Sequence, residues 1–77
     1  MATVRYFAAA EEAAGLAEEV RSEATLEALR TALAIERPGL GGVLPRCAVL
    51  VDGARVDADI ELHADTLVDV LPPFAGG

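Results

Sequence analysis

The sequence predicts an α+β fold in which one main helix packs across one face of a mixed sheet. Three observations carry that expectation. Residues 2–8 and 66–71 alternate side chains in the period of two that marks half-buried strands. Residues 25–37 instead repeat leucine at helical spacing. Between them, Asp52-Gly53 follows a short apolar run and is the strongest hairpin-turn signal in the chain.

Each element follows from its residues. In the first strand Val4 and Tyr6 share one face, and Thr3, Arg5 and Phe7 the other, so Phe7 stands on the more polar side as a candidate partner contact. Residues 9–14 are rich in alanine and glutamate and form a short helical turn, stopped by Gly15. Residues 16–23 read as a short polar strand that returns beside the first. Thr25 is a suitable N-cap for the main helix, whose buried stripe is Leu26, Leu29 and Leu33 with Ala32 beside it. Glu27, Arg30, Thr31 and Ala34 face water, and Pro38-Gly39 ends the helix. Residues 39–46, with three glycines and Pro45, are expected to be a loop. Residues 47–51 form a strand, 55–57 a short return strand, and 59–62 a single turn covering one end of the core. In the final strand Val68 and Val70 point inward, and Leu67, Asp69 and Leu71 outward. Phe7, Arg55 and Leu71 are therefore expected to cluster on the open face of the sheet as a docking surface.

Composition narrows the function classes. At 77 residues the chain makes one small domain, and a hydrophobic content of 53% supplies a core without staples. Its one Cys and one His make neither an internal disulfide nor a structural zinc site. Cys47 lies in an apolar run without a nearby base and reads as a core thiol, and His63 as a solvated side chain. There is no signal-like opening and no apolar run of membrane-spanning length, so a cytoplasmic protein is expected. A net charge of −7 disfavours nucleic acid; its main expected role is solubility, and it is compatible with docking onto a basic protein surface. The basic residues are all Arg, so no side-chain amine exists to carry Lys-linked branches. No nucleophile–base set, metal spacing or phosphate loop with Lys occurs, and an independent enzyme active site is not expected.

The remaining reactive candidate is the terminal carboxylate. Residues 1–71 are expected to be the folded domain and 72–77 a flexible tail: Pro72, Pro73, Phe74, Ala75, Gly76 and Gly77. Prolines hold an emerging segment extended, and glycines pass through a gap too narrow for side chains. Extended, six residues reach roughly 20 Å, enough to enter a partner's cleft. A carboxylate becomes electrophilic only after conversion to a mixed anhydride such as an acyl-adenylate. A sulfur nucleophile then leaves a thiocarboxylate, and an amine leaves an amide.

With this layout and tail, the chain resembles the β-grasp, ubiquitin-like sulfur carriers, most closely the small subunits of molybdopterin synthase. The matching residues are Tyr6-Phe7-Ala8 with Glu11-Glu12 and Gly15, Thr25 to Leu29, Val51-Asp52-Gly53, Asp65, and the Leu71-Pro72-Pro73-Phe74-Ala75-Gly76-Gly77 ending. The family often has Asn at Asp52, Gly at Ala64 and Val at Phe74. The resemblance implies that Gly77 is adenylated by a ubiquitin-activator-like enzyme using ATP, and that a persulfide donor converts it to the thiocarboxylate. It implies no cofactor held by the carrier itself. It further implies sulfur donation to a large synthase subunit, in a heterotetramer of two small and two large subunits, to build the molybdopterin dithiolene. Phe7, Arg55, Leu71 and residues 72–76 are the implied partner contacts. Two competing readings share the tail: a thiamine-pathway sulfur carrier, which in the family lacks the insert matched by residues 9–15, and a protein modifier joined to target lysines. A plain interaction domain with an inert tail is the third.

Overall fold

In the computed structural model, which describes residues 1–72, alternation and helical spacing build a five-stranded mixed sheet covered on one face by helices. The elements are β1 (Ala2–Tyr6), α1 (Ala9–Ala14), β2 (Glu18–Arg21), α2 (Leu26–Glu36), α3 (Pro38–Val43), a 3-10 turn (Leu44–Arg46), β3 (Ala48–Val51), β4 (Ala54–Arg55) and β5 (Leu67–Leu71). The strand order is β2-β1-β5-β3-β4. β1 and β5 run parallel at the centre, and the other neighbours are antiparallel. This is the β-grasp arrangement expected from the sequence. The last strand is therefore central, paired on both sides, and the chain passes from its end at Leu71 into Pro72.

The register explains the core. Val4 lies beside Val68 and Tyr6 beside Val70, while Val49 and Val51 oppose Val70 and Val68 across the other ladder. These side chains meet Leu26, Leu29 and Leu33 of α2 and are all buried. The Thr25 side chain caps α2, accepting the Ala28 N–H at 3.1 Å, and Asp59 Oδ1 accepts the Glu27 N–H at 2.8 Å. Gly15 closes α1 at φ 83°, the left-handed conformation expected of it. Asp52 and Gly53 both have positive φ, 51° and 86°, as a two-residue hairpin loop requires. Asp52 also ties that turn to β5: its backbone N–H donates to Leu67 O at 2.8 Å, and its Oδ1 accepts the Leu67 N–H at 2.9 Å.

Two expectations fail. Residues 39–46 are not a loop but α3 and the 3-10 turn. Pro38 stands in the first turn of α3, where a missing N–H costs nothing, and Leu40 and Leu44 are buried in the core. Gly41 is what lets α3 lie against α2: a Cβ there would come within 3.2 Å of the Ala34 backbone. Packing outweighs the poor helix propensity of three glycines. Residues 59–62 are likewise not a helical turn. Glu61 bridges Thr25, Ile60 O accepts the Leu26 N–H, and the Leu62 N–H donates to Ala24 O. Ile60 and Leu62 pack on the core with the spacing of two that an extended segment provides. The strand boundaries also tighten: β1 ends at Tyr6, β2 covers Glu18–Arg21, and β4 is Ala54–Arg55 rather than 55–57.

Candidate functional site

The uncovered face of the sheet and the end of β5 together form the candidate site. Pairing puts Glu18, Arg5, Asp69, Leu50 and Arg55 in one row across that face. The next row toward the end of β5 holds Leu71 beside Ala48. Phe7 follows β1 directly, and its N–H donates to Val70 O at 3.2 Å, extending the β1–β5 ladder by one step and setting Phe7 next to Leu71. Phe7 is 39% exposed and Leu71 partly buried. The structure thus brings these two candidates together where the chain leaves the sheet. Arg55 is exposed on the same face, but on the edge strand β4, across β3 and one row away. Pro72 is buried, so the first residue of the expected tail packs against the domain. Pro73, Phe74, Ala75, Gly76 and Gly77 lie outside the described residues.

Sequence reasoning placed Arg5 and Asp69 on this face without pairing them. They form a two-pronged ion pair, Arg5 Nε to Asp69 Oδ1 at 2.7 Å and Arg5 Nη2 to Asp69 Oδ2 at 2.9 Å. The hydrogen bond to Asp69 holds the Arg5 guanidinium above its usual pKa, against burial, and the charges of Asp69 and Glu18 act with it. The guanidinium also lies over the Phe7 ring, 5.6 Å from its centroid, within cation–π range. The available signal was the opposite charge at matching offsets in the first and last strands, legible once those strands are known to be parallel neighbours.

A second charged cluster, also unforeseen, sits at the β2 edge on the helix-covered side. Arg21 donates to Glu19, Glu23 and Glu36, and Arg37 donates to Glu19 and to Ala14 O. The Tyr6 hydroxyl donates to Glu19. Burial alone would raise the Glu19 pKa, but the Tyr6 hydroxyl and Arg37 hold it below the usual carboxylate value. Arg21 holds Glu23 and Glu36 low as well, and burial followed by the bond to Glu19 pushes the Tyr6 hydroxyl up. This cluster joins strand to helix and offers no reactive group.

Burial pushes the Cys47 thiol up, only partly offset by Arg46 and Arg30, and its Sγ donates to Val43 O at 3.3 Å. His63 is exposed. Among the described residues no group of His, Cys, Asp and Glu has metal-binding geometry, and no helix is long and apolar enough to cross a membrane.

The geometry can be set beside known proteins. The ThiS family model matches residues 4–77, which include the terminal Gly76-Gly77. No curated protein matches the chain by sequence. Among solved structures, the complex of subunits 1 and 2 of the molybdopterin-converting factor from Helicobacter pylori contains a chain 26% identical, with a TM-score of 0.77 over 99% of this chain and 97% of that one. Small archaeal modifier protein 1 of Methanosarcina acetivorans is 22% identical with a TM-score of 0.86, covering 99% and 95% of the two chains. SAMP1 of Haloferax volcanii is 24% identical with a TM-score of 0.76, covering 99% and 98%. The last two likenesses bear on the fold.

Proposed function

The chain belongs to the ThiS family of ubiquitin-like sulfur carriers, and from that premise we propose that Gly77 carries sulfur as a thiocarboxylate for the molybdopterin dithiolene, with this protein as the small subunit of molybdopterin synthase. The observation that carries the reading is that the family match runs through Gly77, the residue joined by a short segment to the central strand β5. The Helicobacter pylori complex of two converting-factor subunits supports a large-subunit partner, and the formed helix α1 fits the molybdopterin branch of the resemblance.

The chemistry runs in balanced steps. A Gly77 carboxylate oxygen attacks the α-phosphorus of ATP on a separate adenylating enzyme, and pyrophosphate leaves. The acyl-adenylate carbonyl is now attacked by a persulfide sulfur, and AMP leaves. Cleavage of the new S–S bond by a further thiol leaves the thiocarboxylate. In the large subunit, whose side chains supply the catalysis, the thiocarboxylate sulfur bonds to a carbon of cyclic pyranopterin monophosphate as a C–O bond at that carbon breaks and its oxygen leaves. Water then hydrolyses the resulting thioester, leaving the sulfur on the pterin and Gly77 as a carboxylate, and two such transfers complete the dithiolene. The carrier's own contribution is access and delivery. Gly76 and Gly77 present a carbonyl with no bulky side chain beside it, and the open face with Phe7 and Leu71 meets the acceptor.

Intact-mass measurement tests the reading. Incubation with ATP, the adenylating enzyme and a sulfur donor should add the mass difference between one sulfur and one oxygen, and the product should react with electrophiles as an oxidised chain does not. A chain lacking Gly77 should gain nothing. Sulfur loading followed by transfer only to a thiazole precursor, or amide-linked conjugates with other proteins, would move the function to one of the competing branches.

A further inference from the structure

Phe7 is held from several directions. Its N–H is bonded to Val70 O, and its carbonyl accepts the Ala10 N–H at 3.0 Å, so sheet and α1 both fix its backbone. The next residue, Ala8, has φ 51°, a left-handed value that turns the chain sharply from β1 into α1. The ring itself meets Arg5. A lone arginine on a sheet surface samples many rotamers, but here both carboxylate oxygens of Asp69 grip the guanidinium edge. That fork fixes the guanidinium, whose Cζ lies over the Phe7 ring 5.6 Å from its centroid. Asp69 is only 7% exposed, whereas Phe7 remains 39% exposed.

We propose that Arg5 and Asp69 are positioning residues for sulfur delivery: Asp69 fixes Arg5, and Arg5 holds the Phe7 ring in the orientation in which the acceptor protein receives it. The inference rests on the reading of this chain as a carrier that docks on a large synthase subunit. The occupant is argued from the fold: Phe7 adjoins Leu71, where the chain leaves the sheet toward residues 72–77, so a protein that draws in Gly77 approaches the domain from the end that carries this ring. A ring ordered before the encounter loses less freedom on binding than one that must be captured.

The test is a double-mutant cycle on the full-length carrier and the large synthase subunit, with affinity read by calorimetry and melting temperature read in parallel. Phe7→Ala should weaken binding about tenfold. Arg5→Ala and Asp69→Asn should each weaken it about three- to tenfold in the parent, and by less than about twofold once Phe7 has been truncated to alanine. Arg5→Lys keeps the charge and loses the planar fork, so it should resemble Arg5→Ala. The aromatic NMR signals of Phe7 should shift in Asp69→Asn, because the guanidinium over the ring loses its anchor. Equal losses in the parent and Phe7→Ala backgrounds would overturn the inference, since Arg5 would then act on the partner or on the fold directly. Unchanged binding by Phe7→Ala would overturn it too, while leaving Gly77 loading untouched. No association between the parent carrier and the large subunit would remove the partner reading itself.

Discussion

Arg21 and Arg5 occupy opposite faces of one sheet, and each is bonded to carboxylates, yet they serve different ends. Arg21 spends its donors on Glu19, Glu23 and Glu36, and its side chain is only 11% exposed. It joins the edge strand β2 to the C-terminal turn of α2, and nothing is left to offer a partner. Arg5 engages one carboxylate along one edge, and its side chain stays 42% exposed with its guanidinium over the Phe7 ring. A saturated arginine closes an edge, and a half-engaged one displays a surface. Stability should therefore reside in the first cluster and recognition in the second, with the terminal chemistry depending on neither for its reactivity.

The largest expected effect lies outside both. Deleting Gly77 should abolish thiocarboxylate formation, as read by intact mass, while leaving the melting temperature within about 2 °C, because a terminal residue beyond the paired strand adds little to the core. A large thermal loss would mean that the terminus belongs to the folded body. Next comes Arg21→Ala, which removes the common partner of three carboxylates and leaves them facing one another. Such a partly buried network should cost about 2 kcal/mol, or on the order of 10 °C in Tm for a domain of this size. Sulfur loading at a temperature where the variant stays folded should be unchanged.

The same cluster sets a pH dependence. Glu19, Glu23 and Glu36 are held below the ordinary carboxylate value of about 4.3, so the unfolded chain binds more protons than the native one in acid. Stability is thus full above about pH 5 and falls as pH drops through the depressed native values. Tyr6 acts in the opposite sense: its raised hydroxyl pKa gives stability that is complete below the ordinary value of about 10 and is lost as pH rises beyond it. Thermal melts from acid to alkaline pH should show both limbs, and Arg21→Ala should flatten the acid one. An unaltered acid limb in that variant would assign the titration to other carboxylates.

How much of this was legible in the sequence depended on whether the cause was local. The alternation of Val4 and Tyr6, the leucines of α2, the Thr25 cap and the Asp52-Gly53 turn all act within a few residues, and the fold follows them. α3 was hidden because Gly39, Gly41 and Gly42 argue against a helix, and only contact with Ala34 explains why Gly41 is suited to that site. Pro38 at the start and Leu40, Val43 and Leu44 at helical spacing were the signal that outweighed them. On the candidate face, Phe7 and Leu71 were recognisable as outward positions. The Arg5–Asp69 pair was not, since 64 residues separate its members and the parallel register that joins them is set by the whole sheet. The Arg21 cluster is similarly a meeting of β2 with the far end of α2.

Of the two side-chain truncations, the one with the smaller thermal effect tests the comparison most directly. Phe7→Ala removes a ring that stands outside the core cluster and is 39% exposed, so the melting temperature should change by no more than about 3 °C. Affinity for the large synthase subunit should nevertheless fall about tenfold, roughly 1.4 kcal/mol, because an aromatic anchor at the centre of a docking surface contributes more to binding than to folding. Arg21→Ala should show the inverse pattern, a lower Tm with unaltered affinity. If Phe7→Ala instead melted as far below the parent as Arg21→Ala and bound as tightly as the parent, the open face would be part of the scaffold, and the distinction between the two arginines would be one of exposure alone.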